Sequence, residues 1–385
     1  MEEIEKRMQG KLNRRKEQNA LRQLYLPNVS ASKAEDKTRW IDFCSNDYLG
    51  FSKNEQIKKA VEQQVKEADL GSTGSRLISG NSWKAEKLEE RVAAFHLAEA
   101  ALLFNSGYNA NLGVLSSVPT RLDTIIYDQL SHASIREGIQ LSMAKSFSFR
   151  HNDVEHLKQK LDKASGNIFV VVESIYSMDG DEAPLQEIIE VITEYPAVLI
   201  VDEAHGTGVI GTNGVGLVQE QGLEKEVWAR IVTFGKAIGG HGAMVLGNPT
   251  LKSYLINFSR SFIYTTALPA HSLAVIDAAY DILESSDAVE QLKHKICLFK
   301  EHLSSSAKKR FINSRSAIQS LLVGGNTESK QLASRLQESG FDVKAILHPT
   351  VPKGEERLRI CLHSYNSSHE IIALADCINK VLENG

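Results

Sequence analysis

A carboxylate, an imidazole and an isolated amine stand apart in this chain because of where they fall. Asp202 and His205 lie three residues apart in Val201-Asp202-Glu203-Ala204-His205-Gly206-Thr207-Gly208, just past the apolar run at 197–201, so both can reach one flat heteroaromatic ring. Lys236 ends Thr233-Phe234-Gly235-Lys236, after the run at 230–234, in a loop of small residues where loss of water would lower its pKa toward that of an imine-forming amine. Taken singly, each has a plain structural explanation. An aspartate after a strand caps a helix or makes a turn, and a lysine is a solvated charge. Taken together they are the parts of a pyridoxal phosphate (PLP) site, whose chemistry is that of carbanions.

Other polar segments fall where strands should end. In Phe104-Asn105-Ser106-Gly107-Tyr108-Asn109 an apolar run stops at a small turn that opens a helix. Backbone N–H groups at Ser106, Gly107 and Tyr108 would then bind a phosphate dianion, or the segment is simply a tight strand–helix turn. Ser131-His132-Ala133-Ser134 follows Tyr127-Asp128, at the sheet edge where open α/β folds bind ligands. His132 there can lie against a ring or serve as a hydrogen-bonded structural histidine. Beyond another run, Ser177 can reach a phenolic oxygen, while Asp179-Gly180 reads as a turn. The Ser/Gly cluster at 71–81 is a weaker signal, a loop that lets a ligand or another subunit approach.

These groups need a scaffold, and the apolar pattern supplies one. Runs at 124–127, 168–173, 197–201, 231–234 and 243–246 are apolar at nearly every residue and separated by helix-length segments. That pattern predicts an α/β fold with a mostly parallel sheet covered on both faces. Residues 1 to about 25, with Ile4, Met8, Leu12, Leu21 and Leu24 sparsely spaced, predict an amphipathic helix lying on a larger body, followed by a loop with Pro27 and residues 30–37. A helix at 271–285 is followed by another at 289–303, short strands at 317–323, 342–347 and 358–362, and helices at 329–339 and 368–382. The division predicted is 1–45 as an N-terminal helical segment, 46–285 as a large domain and 286–385 as a small α+β domain.

Composition narrows the function. The 385 residues carry a net charge of −4 with both signs interspersed, which does not suit a nucleic-acid or membrane surface as main partner. The cysteines, Cys44, Cys297, Cys361 and Cys377, show no metal-ligand spacing, and no metal is expected. With no apolar leader and no membrane-length run, a cytoplasmic enzyme is the expectation.

At these residues the chain resembles the α-oxoamine synthases, fold-type-I PLP enzymes (aspartate aminotransferase-like) that join an amino acid to an acyl thioester and release carbon dioxide. The resemblance runs from about Arg14 to the C-terminus. It is carried by Ser45-Asn46-Asp47-Tyr48-Leu49-Gly50, Ser131-His132-Ala133-Ser134, His151-Asn152-Asp153, Tyr176-Ser177-Met178-Asp179-Gly180, Asp202-Glu203-Ala204-His205-Gly206, Thr233-Phe234-Gly235-Lys236 and Tyr264-Thr265-Thr266-Ala267-Leu268-Pro269. Within the family, His205-Gly206-Thr207-Gly208-Val209-Ile210-Gly211 is most similar to the branch that takes L-alanine and a pimeloyl thioester in biotin synthesis. Sister branches take glycine with acetyl- or succinyl-coenzyme A, or serine with a long acyl thioester.

The resemblance implies roles position by position. Lys236 becomes the Schiff-base lysine and Asp202 the partner of the pyridinium nitrogen. His205 and Ser177 come near the phenolic oxygen, His132 stacks on the ring, and Gly107, Tyr108 and Thr233 surround the phosphate. Thr265 and Thr266 match residues that reach the phosphate from a neighbouring subunit, which implies a homodimer with shared active sites. Asn46 and Arg359 match the groups that hold the amino-acid carboxylate, and Arg22 and Thr350 match the acyl side, where the carrier is coenzyme A or an acyl carrier protein. Thr73, where glycine is usual, and Ile238-Gly239-Gly240-His241 depart from the family pattern.

Overall fold

The computed structural model describes residues 2–22, 24, 40–66 and 68–383; the loop expected around Pro27 and 30–37 lies outside them. The chain divides into two compact units, one of Asn46–Ser177 and Asp181–Leu292, the other of Met1–Ser45, Met178–Gly180 and Lys293–Gly385.

A two-residue strand, β1 (Ile41–Asp42), precedes the strands of the larger unit: β2 (Ala100–Phe104), β3 (Thr124–Asp128), β4 (Lys145–Phe149), β5 (Ile168–Glu173), β6 (Ala197–Asp202), β7 (Val227–Thr233) and β8 (Ala243–Gly247). They form one seven-stranded sheet in the order β2-β8-β7-β6-β5-β3-β4. Pairing is parallel from β7 through β4, and β8 runs antiparallel to both its neighbours. Every residue of β5 is buried, which is what an unbroken Ile-Phe-Val-Val-Val run requires and why both faces must be covered. Phe169 and Val171 point one way, into a core with Val114, Leu115, Ile135, Ile200 and Ile231. The helices Gly107–Ser117 and Ala133–Leu141 supply its outer layer.

Of these strands, β4 escaped the periodicity argument. Its Lys-Ser-Phe-Ser-Phe sequence is polar and largely exposed, as an edge strand paired to β3 can be.

The smaller unit pairs β1 in parallel with β10 (Phe341–Asp342) and contains an antiparallel sheet ordered β11 (Lys344–Ile346), β12 (Arg357–Cys361), β9 (Ile318–Leu322). The helices Asn326–Glu338 and Ser368–Glu383 contribute Leu336, Ile371, Leu374 and Ile378 to its buried interior, with Leu358 and Ile360 from β12. Gly180 is needed here as glycine. Its φ is 78°, and a Cβ would come within 2.3 Å of the Ile318 carbonyl oxygen. Beside it, buried Asp179 forms an ion pair with buried Arg357. The N-terminal helix forms over Glu2–Glu17, but Ile4, Met8 and Leu12 stay about half exposed, at 55%, 52% and 50%. One apolar side chain per turn makes too narrow a stripe to bury against the rest of the unit. Among the described residues no helix is long and apolar enough to cross a membrane.

Candidate active site

Parallel strands carry their C-terminal ends to one edge, and register decides which side chains become neighbours there. Glu173, last in β5, pairs with Asp202, last in β6, and Thr233 ends β7. His132 sits at the N-cap of the helix Ala133–Leu141, with Nδ1 accepting from the backbone N–H of Ser134 at 3.2 Å. Lys236 follows β7 by three residues. A cavity of about 240 Å³ opens at this edge, lined by Asn46, Gly107, Tyr108, His132, Asp202, His205, Thr233 and Lys236 together with Ser106, Asn111, Ser134, Glu173 and His241.

The two carboxylates meet different surroundings. Asp202 accepts from Asn111 Nδ2 at 2.7 Å and from the backbone N–H of Ala204 at 3.0 Å, so both its oxygens are engaged by donors. Burial, and then the neighbouring Asp202, push Glu173 up to about 8, with Lys236 opposing. Glu173 is therefore largely protonated at neutral pH, and its Oε1 accepts the backbone N–H of His132 at 2.6 Å. Burial also lowers the pKa of the His132 ring, against the attraction of Asp202, so the ring is neutral.

A second chain of contacts runs from the lysine. Lys236 Nζ lies 2.8 Å from His205 Nε2, and His205 Nδ1 lies 2.8 Å from the hydroxyl of buried Tyr48. That hydroxyl donates to Asn46 Oδ1 at 3.1 Å.

The donor set fits PLP. The helix Gly107–Ser117 points its first turn at the cavity, with Ser106 as N-cap accepting from the N–H of Asn109 at 3.1 Å. The backbone N–H groups ahead of that bond suit a phosphate. A Cβ on Gly107 would come within 2.6 Å of Thr233 Cγ2, so only glycine leaves the cradle between helix and strand open. Among the described residues buried Asn111 Oδ1 has no hydrogen-bond partner, consistent with a polar ligand at this place.

Several expected residues are not among those that line this cavity. Ser177 is buried just past β5 with its backbone N–H bonded to Glu173, and it does not line the cavity. Thr265 and Thr266 border a separate small pocket, where Asn105 Nδ2 donates to Thr265 Oγ1 at 2.7 Å. Arg22, Thr350 and Arg359 belong to the smaller unit. There Arg22 Nη2 donates to Thr350 Oγ1 at 3.2 Å, and buried Arg359 donates to Cys361 Sγ at 2.9 Å. Thr73 lines a larger cleft of about 580 Å³, where the described lining residues include no histidine and no buried carboxylate.

Sequence reasoning missed Asn111, Glu173, Ser134 and Tyr48. A signal existed for two of them. Asn111 is one helical turn beyond Gly107, and Glu173 ends a parallel strand as Asp202 does. Tyr48 and Ser134 were inside recognised segments without a role of their own.

Residues 38–376 match the family described as aminotransferase class I and II. A relative from Emericella nidulans, described as 8-amino-7-oxononanoate synthase, is 42% identical over 89% of this chain and 89% of its own length. The solved structure of the protein of that description from Francisella tularensis is 30% identical, covers 90% of this chain and 98% of its own, and superposes with a TM-score of 0.78. A structure of SPT holding PLP is 26% identical, covers 92% of each chain and reaches a TM-score of 0.85. Motif order, sheet topology and these likenesses agree, and the chain belongs to the class I and II aminotransferase family.

Proposed function

We propose that this chain is a PLP-dependent acyltransferase that condenses L-alanine with a pimeloyl thioester, giving 8-amino-7-oxononanoate, carbon dioxide and the free thiol carrier in biotin synthesis. The observation that carries the reading is the single cavity that gathers Lys236, His205, Asp202 and His132 in front of the helix N-terminus at Gly107. The 42% identity to the Emericella nidulans relative supports the choice of substrates.

When bound, PLP supplies an electron sink for the pair left on an amino acid's Cα. The chain's own residues do the rest. Asp202, whose two oxygens each meet a donor, would hold the proton on the pyridine nitrogen. Lys236 Nζ is the base that takes the Cα proton and returns one after carbon dioxide leaves. His132 offers a neutral aromatic face, and the N–H groups of Gly107 and Tyr108, with Thr233, hold the phosphate. Asn46 and Arg359 take the amino-acid carboxylate, Arg22 and Thr350 serve the acyl side, and His205 serves the phenolic oxygen.

The proposal extends to a cytoplasmic homodimer. Thr265 and Thr266 lie outside the Lys236 cavity of their own chain, as residues serving a partner's phosphate would. A second reading, serine with a long acyl thioester, draws on the higher TM-score to SPT. The test is an absorbance titration of the PLP-loaded protein with L-alanine, glycine and L-serine, adding pimeloyl-coenzyme A to each. The strongest response to alanine, with thiol release, is expected. A preference for glycine or serine moves the activity to a sister branch, and a protein that stays colourless with PLP overturns the cofactor.

A further inference from the structure

The hydroxyl of Tyr48, which does not itself line the cavity, joins two residues that do, Asn46 and His205. Its side chain is fully buried, with Asn46 Oδ1 at 3.1 Å and His205 Nδ1 at 2.8 Å. A phenol has one proton to give. When that proton goes to Asn46, the oxygen lone pair accepts Nδ1–H of His205, and His205 Nε2 is left as an acceptor. Lys236 Nζ, 2.8 Å from Nε2, then has a lone pair to donate to. In the opposite arrangement Tyr48 donates to His205, Asn46 Oδ1 loses this donor, and two acceptor oxygens face each other across 3.1 Å. The first arrangement satisfies every contact in the chain.

Asn46 is fixed by the same bond. With Oδ1 turned to Tyr48, Nδ2 is the end that meets an anion. We propose that Tyr48 is a positioning residue that sets the tautomer of His205 and the amide orientation of Asn46 together, and so fits the site to an amine that carries a carboxylate. The ligand named rests on the proposed function, but the tautomer does not.

Two measurements on wild type and Tyr48→Phe test this, the substitution keeping the ring that fills the buried space. In cofactor-free protein with ¹⁵N-labelled histidine, the His205 resonance is identified by its loss in His205→Gln. It should show the Nδ1–H tautomer in wild type and shift toward Nε2–H in Tyr48→Phe. The same tautomer in both proteins, or Nε2–H in wild type, overturns the proposal. In PLP-loaded protein, L-alanine should bind about tenfold more weakly to Tyr48→Phe, while ethylamine, which has no carboxylate, changes by less than about twofold. Equal weakening of both ligands makes Tyr48 a packing residue only and overturns its positioning role. The tautomer measurement needs no cofactor, so failure of the PLP reading shows separately, as wild-type protein that stays colourless with PLP.

Discussion

At the scale of single residues, the cavity works by giving similar groups unlike surroundings. Asp202 and Glu173 end neighbouring parallel strands, yet two hydrogen-bond donors serve the first while burial holds a proton on the second. This has a measurable consequence for stability. Burial pushes Glu173 up to about 8 in the folded chain against the ordinary 4.5 of a solvated glutamate, so the folded form binds the extra proton between those values. The stability this gives is complete below pH 4.5 and is lost as the pH rises through 8. Glu173→Gln should flatten that slope, read as urea midpoints across the range, and an unchanged slope would mean that Glu173 is ionised in the folded protein. For the reaction itself, Lys236→Ala should lower turnover by about 10³-fold or more. Near-normal thiol release from that variant would remove Lys236 from the chemistry.

At the scale of elements, strand ends and helix starts convert a linear sequence into a rim. The approach of Gly107 to Thr233 joins the helix Gly107–Ser117 to the end of β7. Gly107→Ala must push these apart, and the expected result is a PLP dissociation constant raised about tenfold or more, with turnover recovered at saturating PLP. An unchanged constant would show that the phosphate is held elsewhere. His151 performs a similar joining task beyond β3. Its Nδ1 meets Asp128 at 3.1 Å and its Nε2 meets Asp181 at 2.7 Å. Burial works against the charged ring, but these carboxylates outweigh it and raise its pKa to about 9. The contribution is therefore complete below pH 6.5 and is lost as the pH rises through 9. His151→Gln should cost about 1–3 kcal/mol at neutral pH and much less above that range, as measured by denaturant unfolding. Equal losses on both sides would reduce His151 to a neutral hydrogen-bond donor.

At the scale of the whole molecule, the proposed homodimer assigns Lys236 to one subunit and Thr265 and Thr266 to its partner at each site. Mixing Lys236→Ala chains with Thr265→Ala/Thr266→Ala chains after unfolding should then regain activity. In a hybrid, one site receives both defects and the other receives none. Random pairing predicts about a quarter of wild-type turnover. A mixture no more active than its two parents would place both threonines and the lysine in the service of a single subunit.

The amino-acid order alone determined the parallel-sheet class, the strands from 168–173 and 197–201, and the candidate roles of Asp202, His205, Lys236, His132 and Gly107. Unbroken apolar runs must be buried on both faces, and polar residues that end such runs must collect at one edge. Only the tertiary structure decided which of them touch. Strand register set Glu173 beside Asp202 and changed its protonation, folding over 157 positions brought Tyr48 to His205, and packing of the helix Gly107–Ser117 on the sheet brought Asn111 to Asp202. It also left Thr265 and Thr266 outside the cavity of their own chain. Local pattern governs which face a residue takes, because that depends on a period of two or 3.6 residues. Hydrogen-bond partners and pKa values depend on distances of a few ångströms between segments far apart in sequence, and only close packing fixes those.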